Sequence, residues 1–242
     1  MNELISVIIP VYNRIEVFKQ ALDSVLKQTY KNIEIIVVDD GSTEGDVERV
    51  TRDVATDAID IKYSRQENKG APGARNKGFE LSRGEYIIFW DADVVGKLEM
   101  LEKLKRQLDE HSEIGFSYSN HISYIIYHIS KRISAKEFDL ESLKQNNYIH
   151  STSLIRRKDV VRWDESLNRF QDWDLWLTMA ENGKKGVWVD EYLFQIMSNG
   201  TMSTWLPSCA YKKPWRWLPW FSSTVKDYDR AKEIVKKKHE LI

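Results

Sequence analysis

Four short apolar runs divide the first part of the chain. They are rich in β-branched and aromatic residues and lie at residues 5–9, 33–38, 59–64 and 86–90. Between them, apolar residues recur with helical spacing at residues 14–28, 46–55 and 74–82. Because strand and helix patterns alternate, and the runs mostly lack hydrophobic-polar alternation, we expect an α/β fold with a mostly parallel central sheet covered by helices.

The pattern becomes less regular in the second half of the chain. It predicts helices at residues 97–110, 137–146 and 172–181, and extended segments at residues 121–129, 151–155 and 186–189. We therefore expect one domain over residues 1–200, followed by an extension at 201–242. Within the domain, residues 1–95 have the pattern of a nucleotide-binding βαβ layer, and residues 96–200 form a mixed region suited to an acceptor.

Composition narrows the class of protein. The 242 residues carry 36 basic and 37 acidic side chains, a net charge of −1, which argues against a nucleic-acid partner. Cys209 is the only cysteine, so neither an internal disulfide nor a cysteine zinc site is expected. No apolar run reaches the roughly 20 residues that span a bilayer, and the first residues do not resemble a signal peptide. We expect a cytoplasmic protein.

Two carboxylates follow the fourth apolar run directly, in Asp91-Ala92-Asp93. A strand at 86–90 delivers both to the carboxyl edge of the sheet, where ligands bind in open α/β sheets. Two acids one residue apart can share Mg²⁺ or Mn²⁺, and such a cation can hold a diphosphate. Taken alone, two acids with this spacing are more often solvated residues of a loop.

Other side chains are expected at the same edge. Tyr12 follows the first strand and could stack on a nucleobase or pack over the strand end. Asp39 and Asp40 follow the second strand and could accept from a base or ribose, or form a turn with the Gly-Ser pair after them. Arg75 begins a predicted helix and could meet a phosphate there, or lie on the surface.

A second acidic cluster lies at residues 171–176, Gln-Asp-Trp-Asp-Leu-Trp. Asp172 is at a predicted helix start, where it could act as a cap or as a functional acid. Trp176, four residues on, shares its helix face and offers an aromatic surface for a sugar ring. The histidines at 121, 128 and 150 have no metal-ligand spacing and are expected to be core or surface residues.

Together these motifs resemble the family 2 glycosyltransferases of the GT-A fold. They occur in the family's order over roughly residues 4–190, and the matching stretches are 6–14 (SVIIPVYNR), 35–42 (IIVVDDGS), 68–78 (NKG to ARNKG), 91–93 (DAD) and 164–176 (DESL to QDWDLW).

The resemblance implies an inverting transferase that uses a nucleotide-sugar, usually a UDP-sugar, and a divalent cation, Mn²⁺ or Mg²⁺. It implies that Asp172 is the catalytic base, that Asp93 ligates the metal, and that Asp91 contacts the metal or the ribose. Trp173 and Trp176 would line the acceptor side. The remaining matching positions would bind the donor nucleotide, with Asp40 rather than Asp39 reading the base: Pro10, Val11, Tyr12, Arg14, Asp39, Asp40, Arg75 and Ala92.

This chain departs from the family pattern at two places. Many relatives have an acid at the position of Gln171, and many have an Arg-x-His pattern where this chain has Gln195 and Met197. Two other functions therefore stay open. A catalytically silent module could bind a nucleotide-sugar or an acceptor. A nucleotidylyltransferase would need a glycine-rich basic loop after the first strand, and residues 10–13 are Pro-Val-Tyr-Asn.

The C-terminal extension combines aromatic and basic residues. Tryptophans at 205, 215, 217 and 220 are interleaved with Lys212, Lys213 and Arg216, and a lysine-rich helix follows. This composition favours docking of residues 205–238 to an anionic membrane surface, at its cytoplasmic face, which would suit a lipid-linked acceptor. The alternative is that the tryptophans pack over the acceptor cleft or a partner subunit.

Overall fold

A computed structural model describes residues 3–55, 59–126, 129–197 and 219–241. Its strands are β1 (Ile5–Val11), β2 (Ile33–Asp39), β3 (Asp60–Arg65), β4 (Tyr86–Phe89), β5 (Val94–Gly96), β6 (Phe116–Ile126), β7 (Ile129–Ile133), β8 (Leu154–Arg156) and β9 (Gly186–Met197). Its helices are α1 (Ile15–Leu26), α2 (Val47–Asp53), α3 (Gly70–Leu81), α4 (Met100–Glu110), α5 (Leu140–Gln145), α6 (Gln171–Glu181) and α7 (Pro219–Lys238).

The described strands form one sheet with the order β3-β2-β1-β4-β8-β6-β9-β5, and β7 pairs with β6. The first four strands are parallel, as the sequence predicts. Beyond β4 the sheet is mixed, because β8 runs antiparallel to both β4 and β6, whereas β6 and β9 are parallel. The α/β prediction, with its mixed second half, is confirmed.

Three elements extend beyond their predicted limits. β9 continues to Met197 because Asp190 and Glu191 form an irregularity opposite β6 and do not end the strand. The predicted extended segment at 121–129 is a hairpin of β6 and β7. α3 begins at Gly70 because Pro72 is tolerated in a first helical turn, where its missing N–H costs nothing.

Helices cover both faces of the sheet, and each face has its own apolar core. One core packs α1 and α4 on the sheet, and the other packs α3 and α6 on it. α3 approaches β1 closely at Gly78, where a Cβ atom would lie 2.2 Å from Cγ2 of Ile8. This contact requires glycine and fixes the loop before α3 over the carboxyl ends of the strands.

The helix α7 packs on α6 through its buried residues. Val235 is fully buried, and His239, just after α7, is buried against Asp174. The side chains of residues 219–224 and the whole of residues 201–218 lie outside the described part, and with them the predicted tryptophan cluster. No helix among the described residues is long and apolar enough to cross a bilayer.

Candidate active site

The loops after β1 and β2 are tied together at the carboxyl edge of the sheet. Asn13 and Arg14 both have a left-handed backbone, with φ of 57°. The Asn13 side chain accepts from the backbone N–H groups of Thr43 and Glu44 at 2.8 and 3.0 Å. Tyr12, which precedes this turn, is 44% exposed. Pro10 and Val11 are the last residues of β1, and the Val11 side chain is buried in the core.

The two acids after β2 differ in their surroundings. Asp39 accepts at one oxygen from the Ser42 N–H and at the other from the Tyr63 hydroxyl and Arg65. It has the turn-forming role that the sequence left open. Asp40 accepts from Gln66 and from the Lys69 N–H at one oxygen, Oδ1. Both acids are buried, so the choice of Asp40 over Asp39 as the acid that reads a base stays a prediction.

Asp91 and Asp93 follow β4 as predicted, and both carboxylates are about one-fifth exposed. Asp91 accepts from Arg75 at 2.6 Å and from the Ser151 hydroxyl at 2.8 Å, one bond to each oxygen. Asp93 has a longer contact, 3.4 Å, with Arg14. Burial and the neighbouring charge of Asp91 raise the pKa of Asp93 to about 6. The pKa of Asp91 is lowered, because Arg75, His150 and the two hydrogen bonds outweigh its burial.

Arg75 is not at a helix N-terminus, contrary to expectation. Because α3 begins at Gly70, Arg75 lies in its second turn, and its side chain is buried. The guanidinium stacks on the Trp163 ring at 4.3 Å and contacts Asp91 and Gln171. Arg75 therefore orients Asp91 and lies beneath the edge of the site.

Asp172 reaches the same edge from α6. It is the second residue of the helix, and Phe170, with a left-handed backbone, is the N-cap position. The Asp172 side chain still meets a free N–H group of the first turn, so a capping role and a functional role both stay open. Its Oδ1 accepts from the Trp173 N–H at 2.9 Å, and its Oδ2 accepts from Asn147 at 2.8 Å. Burial raises the pKa of Asp172, although His150 and Arg75 act in the opposite direction.

His150 is a residue of the site that the sequence analysis missed. Its charge would interact with those of Asp91 and Asp172, and burial lowers its pKa. Its Nδ1 accepts from the Thr152 N–H at 3.0 Å, so the neutral ring carries its proton on Nε2. The ring also packs against His121 and Phe194. Its place just before the start of the predicted extended segment at 151–155 was the available signal.

The two tryptophans expected on the acceptor side are core residues. Trp173 and Trp176 are 1% and 0% exposed. Their indole N–H groups donate to the backbone carbonyls of Leu143 and Ile149. The expectation of an aromatic surface beside Asp172 is wrong, because both rings are buried in the core, where Phe116 stacks on Trp176 at 4.6 Å.

The residues at this edge fit a hard divalent cation. Asp93 offers carboxylate oxygen, and Mg²⁺ commonly uses one or two carboxylates together with phosphates and waters. Within the described ranges no three His, Cys, Asp or Glu side chains form a group that could hold a metal. At the positions where many relatives carry Arg-x-His, Gln195 pairs with Val95, and the Met197 N–H donates to the Asp93 carbonyl.

A parallel sheet that ends in two acids, joined to a mixed half that brings a third acid to the same edge, defines the GT-A class. Residues 6–162 match the family model described as glycosyl transferase family 2, and the chain belongs to that family.

Two curated relatives illustrate the similarity. Glycosyltransferase GlyG of Streptococcus pneumoniae serotype 4 is 43% identical over 111 residues, which cover 46% of this chain and 36% of GlyG. The UDP-Glc:alpha-D-GlcNAc-diphosphoundecaprenol beta-1,3-glucosyltransferase WfaP of Escherichia coli is 33% identical over 193 residues, which cover 76% of this chain and 72% of WfaP. The chain spans about a third of the length of GlyG and of two similar Rickettsia glycosyltransferases.

Solved structures share the fold. The S. aureus TarS 1-349 complex with UDP-GlcNAc has a TM-score of 0.67 at 21% identity, over 84% of this chain and 61% of that one. Mannosyltransferase PcManGT from Pyrobaculum calidifontis, in complex with GDP-Man and Mn2+, has a TM-score of 0.62 at 16% identity, over 80% and 56%. At these identities the likeness establishes the GT-A fold.

Proposed function

We propose that the protein is an inverting glycosyltransferase that moves a sugar from a UDP-sugar to a hydroxyl of a glycan or lipid-linked acceptor, in the synthesis of a cell-surface glycan. The position of Asp172 carries this proposal. A carboxylate with a raised pKa faces the edge that also holds Asp91 and Asp93, and such a group is suited to accept a proton. The name of WfaP, with a UDP-Glc donor and a diphosphoundecaprenol acceptor, supports the donor and acceptor classes.

The first half of the domain would bind the donor. The exposed Tyr12 ring would stack on the base, and Asp40 would accept from its edge. Asp93 would hold Mn²⁺ or Mg²⁺, which when bound supplies Lewis-acid neutralisation of the diphosphate. Arg75 would keep Asp91 ionised and fixed against the ribose or the metal shell.

Asp172 would act on the acceptor. One of its oxygens takes the hydroxyl proton as the hydroxyl oxygen forms a bond to the anomeric carbon. The bond from that carbon to the diphosphate oxygen breaks, and the nucleoside diphosphate leaves with the electron pair. Because attack and departure take place on opposite faces of the sugar, the anomeric configuration inverts.

The Asp172→Asn variant tests this proposal. Nucleoside diphosphate release is measured with Mn²⁺ and UDP-glucose, UDP-GlcNAc or GDP-mannose, and donor affinity is measured by calorimetry. A positioned base contributes about 10²–10⁴-fold, so turnover should fall by that factor while donor affinity changes little. Asp23→Asn, at an exposed ion pair with Lys27, is the matched control.

Two results would count against the proposal. Near-normal turnover in Asp172→Asn would remove Asp172 from the role of base. Donor binding without turnover in the wild-type protein, on every donor and acceptor offered, would instead indicate the catalytically silent binding module.

A further inference from the structure

Residues 147–153, between α5 and β8, contact two of the carboxylates of the site. Asn147 donates to Asp172, and Ser151 donates to Asp91. We call these residues the 147–153 loop. Within it, Ser153 donates to the carbonyl of His150, and the Thr152 N–H donates to the ring of His150. This short segment, which is held by its own hydrogen bonds, therefore contacts Asp91, just after β4, and Asp172, near the start of α6.

The Asn147 side chain is locked on the backbone of this loop. Its Oδ1 accepts from the Ile149 N–H at 3.0 Å, and its Nδ2 donates to the Ile149 carbonyl at 3.0 Å. The second hydrogen on Nδ2 is directed at Asp172 Oδ2, 2.8 Å away. Because a carboxylate and a carbonyl only accept, the chemistry fixes which end of the amide faces Asp172.

We propose that Asn147 is a positioning residue that orients the Asp172 carboxylate and keeps it ionised. With Asn147 on Oδ2 and the Trp173 N–H on Oδ1, the carboxyl group is held in one orientation. A hydrogen bond donated to a carboxylate favours its charged form, and burial acts against that form here. This inference rests on the proposed role of Asp172 as the base, since a base must be ionised to accept a proton.

The charged groups around Asp172 set the background for this effect. His150, when protonated, and Arg75 favour the ionised carboxylate, and Asp91 disfavours it. Asn147 is a neutral side-chain donor, so Asn147→Ala removes a hydrogen bond to Asp172 and leaves these charges in place.

Asn147→Asp is the sharpest variant. It has nearly the same shape and keeps an oxygen that can accept from the Ile149 N–H, but it places an acceptor against Asp172 where a donor was. Loss of a hydrogen bond to a charged group corresponds to a pKa shift of about one to two units. In Asn147→Ala, which adds no charge, the acid limb of the pH dependence of kcat should move to higher pH by that amount. In Asn147→Asp the added carboxylate also repels the ionised Asp172, so the limb should move further in the same direction.

The measurement pairs this profile with a direct titration of Asp172. The ¹³C signal of its carboxyl group is assigned in aspartate-labelled protein by its loss in Asp172→Asn, and it is followed against pH in each variant. Asn146→Ala is the matched control, because Asn146 is the preceding residue and contacts Lys232 on the surface. In Asn146→Ala, the titration of Asp172 and the pH dependence of kcat should both coincide with those of the wild type.

The outcomes separate this inference from the proposed function. A higher titration midpoint for Asp172 in both Asn147 variants supports the inference, and an acid limb that shifts with it supports the base role as well. A shifted titration with an unmoved acid limb keeps Asn147 as the positioning residue and rejects Asp172 as the base. An unchanged titration in Asn147→Asp and Asn147→Ala overturns the inference, even if turnover falls equally at every pH.

Discussion

The buried ion cluster beneath α7 predicts a stability that depends on one histidine. His239 contacts Asp174 with Nε2 at 2.9 Å and Glu181 with Nδ1 at 2.6 Å, and its side chain is 1% exposed. Both partners are carboxylates, which accept, so both ring nitrogens carry protons and the ring is an imidazolium. Lys238 also contacts Asp174, at 2.8 Å.

His239→Gln removes this charge and leaves at most one of the two hydrogen bonds. Hydrogen bonds to charged groups contribute about 1.5–3 kcal/mol each, and Lys238 still neutralises Asp174 in the variant. We therefore expect a loss of about 2 kcal/mol in the free energy of unfolding. For a chain of this size the loss corresponds to a fall in Tm of roughly 4–8 °C.

The loss should depend on pH with a definite sign. Burial lowers the pKa of His239, but its hydrogen bonds to Asp174 and Glu181 outweigh burial and raise it above the ordinary histidine value of about 6.5. A raised pKa stabilises the folded state fully below the unfolded value, and this contribution disappears as pH rises through the folded value. The difference in unfolding free energy between His239→Gln and the wild type should be largest at about pH 6 and smaller at about pH 9.

Urea unfolding followed by tryptophan fluorescence, at several pH values, measures this difference. His111→Gln is the control, because His111 is exposed and its stability change should stay within about 0.5 kcal/mol. A smaller loss of unfolding free energy in His239→Gln than in His111→Gln would refute this prediction. A loss that is the same at every pH would also refute it.

Two further predictions concern metal and membrane. Asp93→Asn should reduce the enhancement of UDP binding by Mn²⁺ on the order of tenfold or more, measured by calorimetry, and an unchanged enhancement would exclude Asp93 as a ligand. If residues 201–218 dock to membranes, replacing Trp215 and Trp217 by alanine should reduce recovery with phosphatidylserine vesicles. Equal recovery of variant and wild type would favour packing of the tail on protein.

The prediction of membrane docking depends on residues 201–218 and not on α7. Of the lysines expected to face lipid, Lys232 lies over the Trp173 ring, and Lys238 binds Asp164 and Asp174. Apart from Lys232, Lys238 and the buried His239, the charges of residues 226–240 also balance, with four basic (226, 230, 236, 237) and four acidic (227, 229, 233, 240). A surface of this kind gives little net attraction to anionic lipid.

The first half of the fold was readable from sequence because its signals are local. β4 is a continuous apolar run, and β1 and β2 are mostly apolar, with Ser6 and Glu34 as polar interruptions. The turn after each of these strands begins with residues that lie at the edge of the site. The second half was harder, because its strands are defined by distant partners. The acidic pair at 190–191 has the local character of a turn, yet β9 continues past it because β6 and β5 supply the pairing.

The site residues show the same contrast between local signals and distant contacts. The positions of Asp91, Asp93 and Asp172 followed from motifs. His150 and Asn147 were missed, because their role comes from a loop that folds back on acids about 60 and 25 residues away in sequence. Periodicity also placed Trp176 on a helix face, but it could not show that Phe116 stacks on that ring at 4.6 Å and closes it from solvent.

The acidic motif at 172–174 carries two separate functions because of helix geometry. Residues two apart on a helix lie about 200° apart around its axis, so Asp172 and Asp174 must point to opposite sides. Asp172 faces the site and meets Asn147, whereas Asp174 faces away and meets Lys238 and His239. Trp173 and Trp176 fill the core from the same helix. The ions beneath α7 therefore anchor the helix that presents the proposed base, and a change at His239 should alter stability before it alters the proton affinity of Asp172.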